Sequence, residues 1–334
     1  MKKYRVAVIG CGVVSSSHLV PLSEQENTEI AAVCDIKRER ADAKATEFGC
    51  KAYYDYKEMI DSEQLDSVHI CLPHYLHSTV SIYALQHGLD VLCEKPVDIS
   101  FEKALDMKAA ADKSGKRLGI IFQNRYNEGT VFAKELLDSG KLGKVLGCSA
   151  ELLWNRDQAY YDQDEWRGKW DTEGGGVLIN QSIHTLDLMR YLMPSEVCSV
   201  TASVAHRGTT NVEVEDTAEG CVVFKDGTHG VFYFTNNYTT FLPVRVSISC
   251  ESGDIYITGS SATAKLKDGT LLNSDVNTQK AIGKKCYGTG HFKQIADFYG
   301  DNPEAAASFM LDEALKTQKL LEDIYTFAGR KKFN

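Results

Sequence analysis

The sequence predicts an α/β protein of two domains, in which a parallel sheet wrapped by helices is followed by a mainly antiparallel sheet. In the first third, short β-branched runs alternate with amphipathic stretches of helical length. From Lys144 onward, apolar and polar residues alternate between turn signals. A chain of 334 residues is also too long for one typical core and too short for three. We therefore predict domains at 1–122 and 123–334.

The first domain is predicted to be an open, doubly wound sheet. Its strands are short apolar runs, at Tyr4–Ile9, Glu29–Cys34, Ser67–Cys71, Asp90–Cys93 and Arg117–Phe122. The helices between them are predicted at Ser16–Gln25, Arg38–Phe48, Ser78–His87 and Phe101–Lys113, and Ser100 is a suitable N-cap for the last. Strands that alternate with helices in this way pair in parallel.

The second domain is predicted to be a large, open α/β sheet with hairpin turns at Lys225-Asp226-Gly227 and Glu251-Ser252-Gly253-Asp254. Helices are predicted to interrupt and close it, at Thr130–Ser139, Asn180–Leu192, His291–Tyr299 and Pro303–Phe327.

Composition narrows the class of partner. The formal net charge of −9 argues against nucleic acid and anionic membrane surfaces, so a small molecule is the expected partner. The ten cysteines are scattered and several lie in apolar runs, which is typical of a reduced compartment. The apolar run Val6–Ile9 is too short for a signal peptide or a membrane span. These observations predict a cytoplasmic protein.

A glycine-rich turn follows the first strand and opens a helix, as a dinucleotide site requires. Gly10 permits the tight turn and Gly12 lets the backbone approach a pyrophosphate, while Ser15 occupies the third, small position. Asp35 ends the second strand, where a carboxylate binds the adenosine ribose and repels a 2′-phosphate. The pattern predicts a Rossmann domain that prefers NAD, and NADP is less favoured although Lys37 is near.

A lysine follows the strand predicted at Asp90–Cys93. In an open α/β sheet, residues at this end of a strand face the ligand crevice. Pro96 restricts the backbone of Lys95, and burial beside a cofactor is expected to lower the lysine's pKa toward neutrality. Lys95 is thus a candidate for proton transfer. The alternative is an ordinary surface lysine at a strand end.

A second candidate group follows Gly174-Gly175-Gly176. Asn180 and His184 are four residues apart and are predicted to share one helix face. A histidine titrates near neutrality, as a general acid or base requires, and Asn180 is able to orient the same hydroxyl. A hydrogen-bonded structural histidine is the alternative.

Taken together, these motifs resemble the glucose-fructose oxidoreductase, inositol dehydrogenase and rhizopine catabolism (Gfo/Idh/MocA) family from end to end. The matching features are Gly10–Ser15 with His18, Asp35, Leu72-Pro73-His74-Tyr75-Leu76-His77, Glu94-Lys95-Pro96, Asn124-Arg125-Tyr126, the glycine triplet with His184 and Asp187, and Gly290-His291. The resemblance implies a Rossmann domain, a second α/β domain whose open sheet supports a homodimer or homotetramer, and hydride transfer between NAD and a sugar-like carbinol. It also implies that Lys95 and His184 are catalytic.

The resemblance further implies cofactor contacts by a set of residues along the first domain, namely Gly10, Cys11, Gly12, Val13, Val14, Asp35, Leu72, Pro73, His74, His77, Glu94, Lys95 and Gln123. Family members commonly have aspartate where this chain has Asn180, which removes one potential base. Trp166-Arg167-Gly168-Lys169-Trp170 and Asn180-Gln181 resemble a subgroup that acts on sugars, glycosides and nucleotide sugars. Candidate substrate ligands are Arg125, Tyr126, Trp166, Arg167, Asn180, Asp187 and Tyr287; for Arg125 and Tyr126, bracing the hinge between the domains is the alternative.

Four other readings remain. Cys71, His74 and His77 have a spacing that zinc sites use, but the family resemblance assigns this loop to the cofactor, and we predict no metal. A serine hydrolase is disfavoured because no G-x-S-x-G pattern occurs. A glycosidase or lyase that oxidises its sugar transiently on bound NAD is the mechanistic alternative. A regulatory protein that senses NAD and sugar without catalysis is the rival class.

Overall fold

The structure is a computed structural model, which describes residues 3–275, 290–302, 307–330 and 332. The chain divides into two compact units. The first contains Met1–Gln123 and Lys280–Lys316, and the second contains Asn124–Gln279 and Thr317–Asn334. The sequence-based boundary differs from the first division by one residue. The segment 280–316, which the sequence places in the second domain, groups with the first unit.

The first unit contains a six-stranded parallel sheet. Its strands are β1 (Tyr4–Ile9), β2 (Thr28–Cys34), β3 (Lys51–Tyr53), β4 (Ser67–Ile70), β5 (Asp90–Cys93) and β6 (Leu118–Ile120). Their order, β3-β2-β1-β4-β5-β6, is that of the doubly wound dinucleotide-binding fold, so the prediction of a Rossmann sheet is confirmed. The short strand β3 was missed, because three residues carry too little periodicity to detect.

Helices connect these strands, and their ends follow simple capping chemistry. They are α1 (Ser16–Glu24), α2 (Arg38–Phe48), α3 (Tyr56–Ser62), α4 (His77–Gln86) and α5 (Phe101–Ser114), with single 3-10 turns at Val13–Ser15 and His74–Leu76. Ser100 caps α5 as predicted, since its hydroxyl accepts from the Lys103 amide at 3.2 Å. Helix α3 was not predicted. Asp55 caps it by accepting from the amides of residues 57 and 58.

The second unit is built on an eight-stranded sheet, as predicted for the mainly antiparallel half. Its strands are β7 (Val145–Leu153), β8 (Val197–Ala205), β9 (Thr217–Phe224), β10 (His229–Thr235), β11 (Arg245–Cys250), β12 (Gly253–Thr258), β13 (Ser261–Leu266) and β14 (Leu271–Asn273). They lie in the order β14-β13-β12-β11-β7-β10-β9-β8. All neighbours are antiparallel except β7 and β10, which pair in parallel.

The described residues also form the helices α6 (Glu128–Asp138), α7 (Gln158–Tyr161), α8 (Ile183–Tyr191), α9 (Gly290–Tyr299) and α10 (Leu311–Ala328). Two predictions are corrected here. The helix predicted at Asn180–Leu192 is instead a π-helical turn at Val177–Gln181 followed by α8, because the Ser182 amide bonds to the carbonyl of Val177. The helix predicted at Pro303–Phe327 begins, among the described residues that follow 306, at Leu311.

Helices of the described chain fall short of the length and apolar character needed to span a membrane. Nine cysteines lie in the described part of the chain, and all nine are unpaired.

Candidate active site

The glycine-rich turn between β1 and α1 has the geometry that was predicted from its sequence. Gly10 has φ +97°, and a Cβ there would lie 2.3 Å from the carbonyl oxygen of Cys71, so no other residue fits. At Gly12 the space a Cβ would occupy has no atom within 4 Å. The first turn of helix then begins at the exposed Val13, with half-buried Val14 beside it, and no side chain caps its amides.

Asp35 is tied to this turn by its carboxylate. One oxygen accepts from the Cys11 amide at 2.8 Å and the other from the Lys37 amide at 2.8 Å. These bonds fix the carboxylate just beyond β2, at the position where a Rossmann domain binds ribose hydroxyls. Lys37 and Arg38 are exposed.

The residues present fit a dinucleotide. An open cradle at Gly12 and uncapped helix amides suit a pyrophosphate. Gln123 lies just beyond β6, is 2% exposed, and its Oε1 has no hydrogen-bond partner among the described residues. A buried acceptor of this kind is costly unless a ligand satisfies it. The loop after β4 is also part of this edge, with half-buried Leu72 and Pro73.

His77, in that loop, is held in place by backbone carbonyl groups of the first unit. His77 Nδ1 lies 2.7 Å from the Pro96 carbonyl oxygen, and its Nε2 lies 2.9 Å from that of Leu72. Each ring nitrogen therefore faces a backbone carbonyl oxygen rather than an open coordination position, which disfavours the zinc reading of Cys71, His74 and His77. His74 is 3% exposed.

Glu94 and Lys95 are the first two residues after β5. Lys95 is half-buried, and its peptide bond to Pro96 is cis. The Glu94 carboxylate is turned inward and 6% exposed, with Oε2 accepting from the Lys95 amide at 3.2 Å. Its Oε1 lies 3.0 Å from His18 Nε2 and 3.3 Å from His291 Nε2. Burial alone would raise the pKa of Glu94, but these two imidazoles hold it well below its usual range.

In the second unit, side chains rather than backbone form the candidate substrate site. The Tyr160 hydroxyl oxygen accepts from Arg167 Nη1 at 2.6 Å, from Gln181 Nε2 at 2.9 Å and from Asn180 Nδ2 at 3.4 Å. Burial raises the pKa of the Tyr160 phenol, so it is a neutral acceptor. The Arg167 guanidinium is stacked between the rings of Tyr160 and Trp166, 4.6 and 4.5 Å from their centroids.

Glu173 is fully buried and lies on the other side of this cluster. Its Oε1 accepts from Asn180 Nδ2 at 2.5 Å and its Oε2 from the Gly168 amide at 2.5 Å. The Asn236 amide in turn donates to Gln181 Oε1 at 2.8 Å. We call Tyr160, Arg167, Glu173, Asn180 and Gln181 the polar cluster. Its hydrogen bonds fix the orientation of Asn180 and Arg167.

A second buried carboxylate shapes the turn from which Asn180 projects. Glu215 accepts from the amides of Gly176 and Leu178 at 3.0 and 3.1 Å and from the Tyr325 hydroxyl at 2.8 Å. Burial raises the pKa of Glu215 to about 7 despite these donors. A Cβ at Gly176 would lie 1.8 Å from the Glu215 carbonyl oxygen, so this position also requires glycine.

Arg125 and Asp187 were predicted as substrate ligands, and the structure joins them to each other. Arg125 donates from Nε and Nη2 to the two carboxylate oxygens at 2.7 and 2.5 Å, and both side chains are 1% exposed. Thr317 donates to the same carboxylate at 2.5 Å. Burial would raise the pKa of Asp187, but Arg125 holds it below the usual value. A bracing role is therefore favoured for this pair.

The remaining candidates are placed as follows. His184 is the second residue of α8 and is half-buried, as is Tyr126. The irregular turn before α8 means that Asn180 and His184 do not follow one another on a regular helix face. Trp170 packs against a small core of Tyr161, Val212 and Val214, which fits the packing alternative for that tryptophan. Tyr287 lies outside the described residues.

Sequence models of one family match both units. An oxidoreductase family with an NAD-binding Rossmann fold matches residues 4–122, and the GFO/IDH/MocA C-terminal domain matches residues 130–256. The chain belongs to the Gfo/Idh/MocA family. As a Gfo/Idh/MocA protein it is an NAD-binding oxidoreductase, which confirms the predicted enzyme class and cofactor.

Among its Gfo/Idh/MocA relatives is the 2,7-anhydro-N-acetylneuraminate hydratase of Mediterraneibacter gnavus, 28% identical over 76% of this chain and 69% of that protein. Glucose-6-phosphate 3-dehydrogenase of Bacillus subtilis is 30% identical over 65% of this chain and 60% of that protein. The WlbA dehydrogenase of Bordetella pertussis, solved with NADH and UDP-GlcNAcA, is 26% identical, with a TM-score of 0.83 over 98% of this chain and 97% of that one.

Proposed function

We propose that this protein transfers a hydride between NAD and a secondary hydroxyl or ketone of a sugar, glycoside or nucleotide sugar. The observation that carries the proposal is the presence of two elements in one chain of this family. One is the glycine turn, which is held by Asp35, and the other is the polar cluster, which orients Asn180 and Arg167. The names of the relatives support a carbohydrate substrate, because they include a glucose-6-phosphate 3-dehydrogenase and a dehydrogenase bound to a nucleotide sugar.

In this proposal the chain's own residues handle the proton and the orientation of the substrate. Bound NAD supplies the hydride acceptor. Lys95 is the proposed group that accepts the hydroxyl proton in oxidation and returns it in reduction, and His184 is the second proposed acid–base residue. The Asn180 amide accepts or donates a hydrogen bond to a neighbouring hydroxyl but cannot act as a base.

Substrate recognition is assigned to the polar cluster and its surroundings. An open cavity of about 550 Å³ adjoins Arg167 and is lined mainly by polar and charged residues of the second unit: Gln158, Tyr161, Asp162, Asp164, Glu165, Arg167, Gly168, Lys169, Asn211, Val212 and Glu213. Such a volume is in the range of small-molecule sites. Planar Arg167 is suited to a phosphate or carboxylate of the substrate, and Trp166 to a sugar face. Tyr126 and Tyr287 remain proposed contacts.

The cellular setting belongs to the same proposal. We place the protein in the cytoplasm because its thiols are scattered and unpaired among the described residues. We propose a homodimer or homotetramer through the eight-stranded sheet, where Val231, Tyr233 and Tyr256 are 52%, 38% and 45% exposed on strands whose alternate residues are buried. Molar mass from light scattering tests this assembly.

The function is tested by screening sugars, glycosides and nucleotide sugars for NADH absorbance and then substituting Lys95. Lys95→Met should abolish turnover and leave NAD affinity within about twofold, because only the proton-transfer group is lost. Lys113→Met, at an exposed lysine in the last turn of α5, is the matched control and should retain full activity. Turnover that survives in Lys95→Met would refute the assigned proton-transfer group. The lyase and sensing alternatives are not favoured by the family match.

A further inference from the structure

The carboxylate of Glu94 is the end point of a chain of buried hydrogen bonds that the proposed chemistry does not use. His18 Nδ1 lies 2.8 Å from His69 Nδ1. His69 Nε2 lies 2.9 Å from the Tyr299 hydroxyl, which lies 2.7 Å from the Ser67 hydroxyl. Every member is buried, from Ser67 at 0% to Glu94 at 6% exposure. All belong to the first unit.

The protons of this chain are assigned by its acceptors. Glu94 is ionised and therefore only accepts hydrogen bonds. His18 Nε2 is protonated and donates to it. Burial lowers the pKa of both His18 and His69, so each ring has one proton. His18 Nδ1 is then an acceptor, and His69 donates to it from Nδ1. The bare His69 Nε2 accepts from Tyr299, which accepts from Ser67.

Every donor in the chain therefore points toward Glu94. The charge of this carboxylate is stabilised by oriented N–H and O–H dipoles, with His18 and His69 neutral. A fixed charge surrounded by buried groups is weakly screened and acts over several ångströms. Glu94 directly follows β5, at the sheet edge where doubly wound folds bind nucleotides.

We infer that Glu94 is an electrostatic positioning residue that makes the first unit bind the oxidised dinucleotide more tightly than the reduced one. The oxidised nicotinamide ring has a positive charge that the reduced ring lacks, so a nearby fixed negative charge stabilises only the oxidised form. This role rests on the proposed use of NAD, but it requires neither turnover nor knowledge of the substrate. Glu94 acts through its charge, whereas Lys95 exchanges the proton.

The test is the ratio of two dissociation constants, measured by calorimetry for NAD⁺ and NADH. Glu94→Gln keeps the size of the side chain and removes the charge. It should weaken NAD⁺ binding on the order of tenfold more than NADH binding, because the lost charge interaction stabilises only the charged, oxidised ring. The control Tyr299→Phe removes a distant donor and should leave the ratio within about twofold.

A ratio of dissociation constants that is unchanged in Glu94→Gln would overturn the inference, since a purely structural role weakens binding of both forms alike. Wild-type protein that binds neither form would overturn the proposed function as well. A second measurement needs no variant: ¹⁵N spectra should show His18 protonated at Nε2 and His69 at Nδ1. A doubly protonated His18 or His291 contradicts the inference, because the charge of either ring would neutralise Glu94.

A metal ion is the competing occupant of the site around Glu94. His18, Glu94 and His291 each place one potential ligand atom within 4.8 Å of the others, a set that a metal ion is able to use. One equivalent of zinc in the purified protein would replace the hydrogen bonds to Glu94 and overturn the inference. Metal-free protein with the expected tautomers supports it.

Discussion

Hydrogen bonds within the protein hold both the glycine turn of the first unit and the polar cluster of the second unit, but by different means. In the turn, backbone amides bond to Asp35 and the conformation of Gly10 fixes the path. In the cluster, five side chains from the stretch between residues 160 and 181 bond to one another around Tyr160 and Glu173. The turn therefore presents backbone donors that most substitutions leave in place, whereas one substitution in the cluster releases several groups at once.

The largest effect is expected at Gly176, in the turn that supports the polar cluster, because a side chain there would meet the backbone of Glu215. Gly176→Ala would place a Cβ 1.8 Å from the Glu215 carbonyl oxygen, and we expect it to lower the free energy of unfolding by about 4 kcal/mol. Gly12→Ala is the matched variant, with no atom within 4 Å of the new Cβ. It should cost less than about 1 kcal/mol yet weaken NAD binding at least tenfold. Urea denaturation and calorimetry measure both, and equal destabilisation would contradict the comparison.

The next effect concerns the pH dependence of stability at Glu215. Its pKa is raised to about 7 in the folded protein, so between about pH 4.5 and 7 the folded state binds more protons than the unfolded state. Stability should therefore fall across this window, by roughly 3 kcal/mol from this group, and change little above it. Glu215→Gln should remove that part of the slope. A variant whose unfolding free energy falls as steeply as wild type between pH 5 and 8 would show that Glu215 is not the titrating group.

The smallest effect is expected for one hydroxyl of the cluster. Tyr160→Phe keeps the ring that stacks on Arg167 but removes the acceptor that Arg167 and Gln181 share. We expect KM to rise about fivefold, which corresponds to about 1 kcal/mol, with NAD affinity unchanged. Initial rates against substrate concentration provide the measurement. Loss of NAD affinity in this variant would mean that the two half-sites are not ordered independently.

The same contrast explains how far the sequence could predict the site. Gly10, Gly12 and Asp35 were identified because a turn and the end of the next strand are linked by local spacing. Tyr160 was missed, since its bond to Gln181 joins residues 21 apart and no periodicity predicts it. His69 and Tyr299 are 230 residues apart and were missed for the same reason. Arg125 and Asp187 were found, but sequence could not show that they bind each other.

The fold was predicted with similar limits. Every strand of the first sheet with four or more residues was found, because buried parallel strands are continuous apolar runs. The π-helical turn before α8 was not, since side chains carry no signal for one inserted backbone residue. The N-cap of α5 was predicted because the hydroxyl of Ser100 is able to accept from a helix amide.

The parallel pairing of β7 with β10 has a consequence for how the protein acquires its substrate half. Leu153 pairs with Thr235 at the end of these strands, so the chain between them, including Tyr160, Arg167, Asn180 and His184, is a long loop closed by that pairing. Closing such a loop costs entropy before its contacts form, and folding through distant contacts is slow. The polar cluster should thus form slowly, because it depends on the pairing of strand residues that are far apart in the sequence.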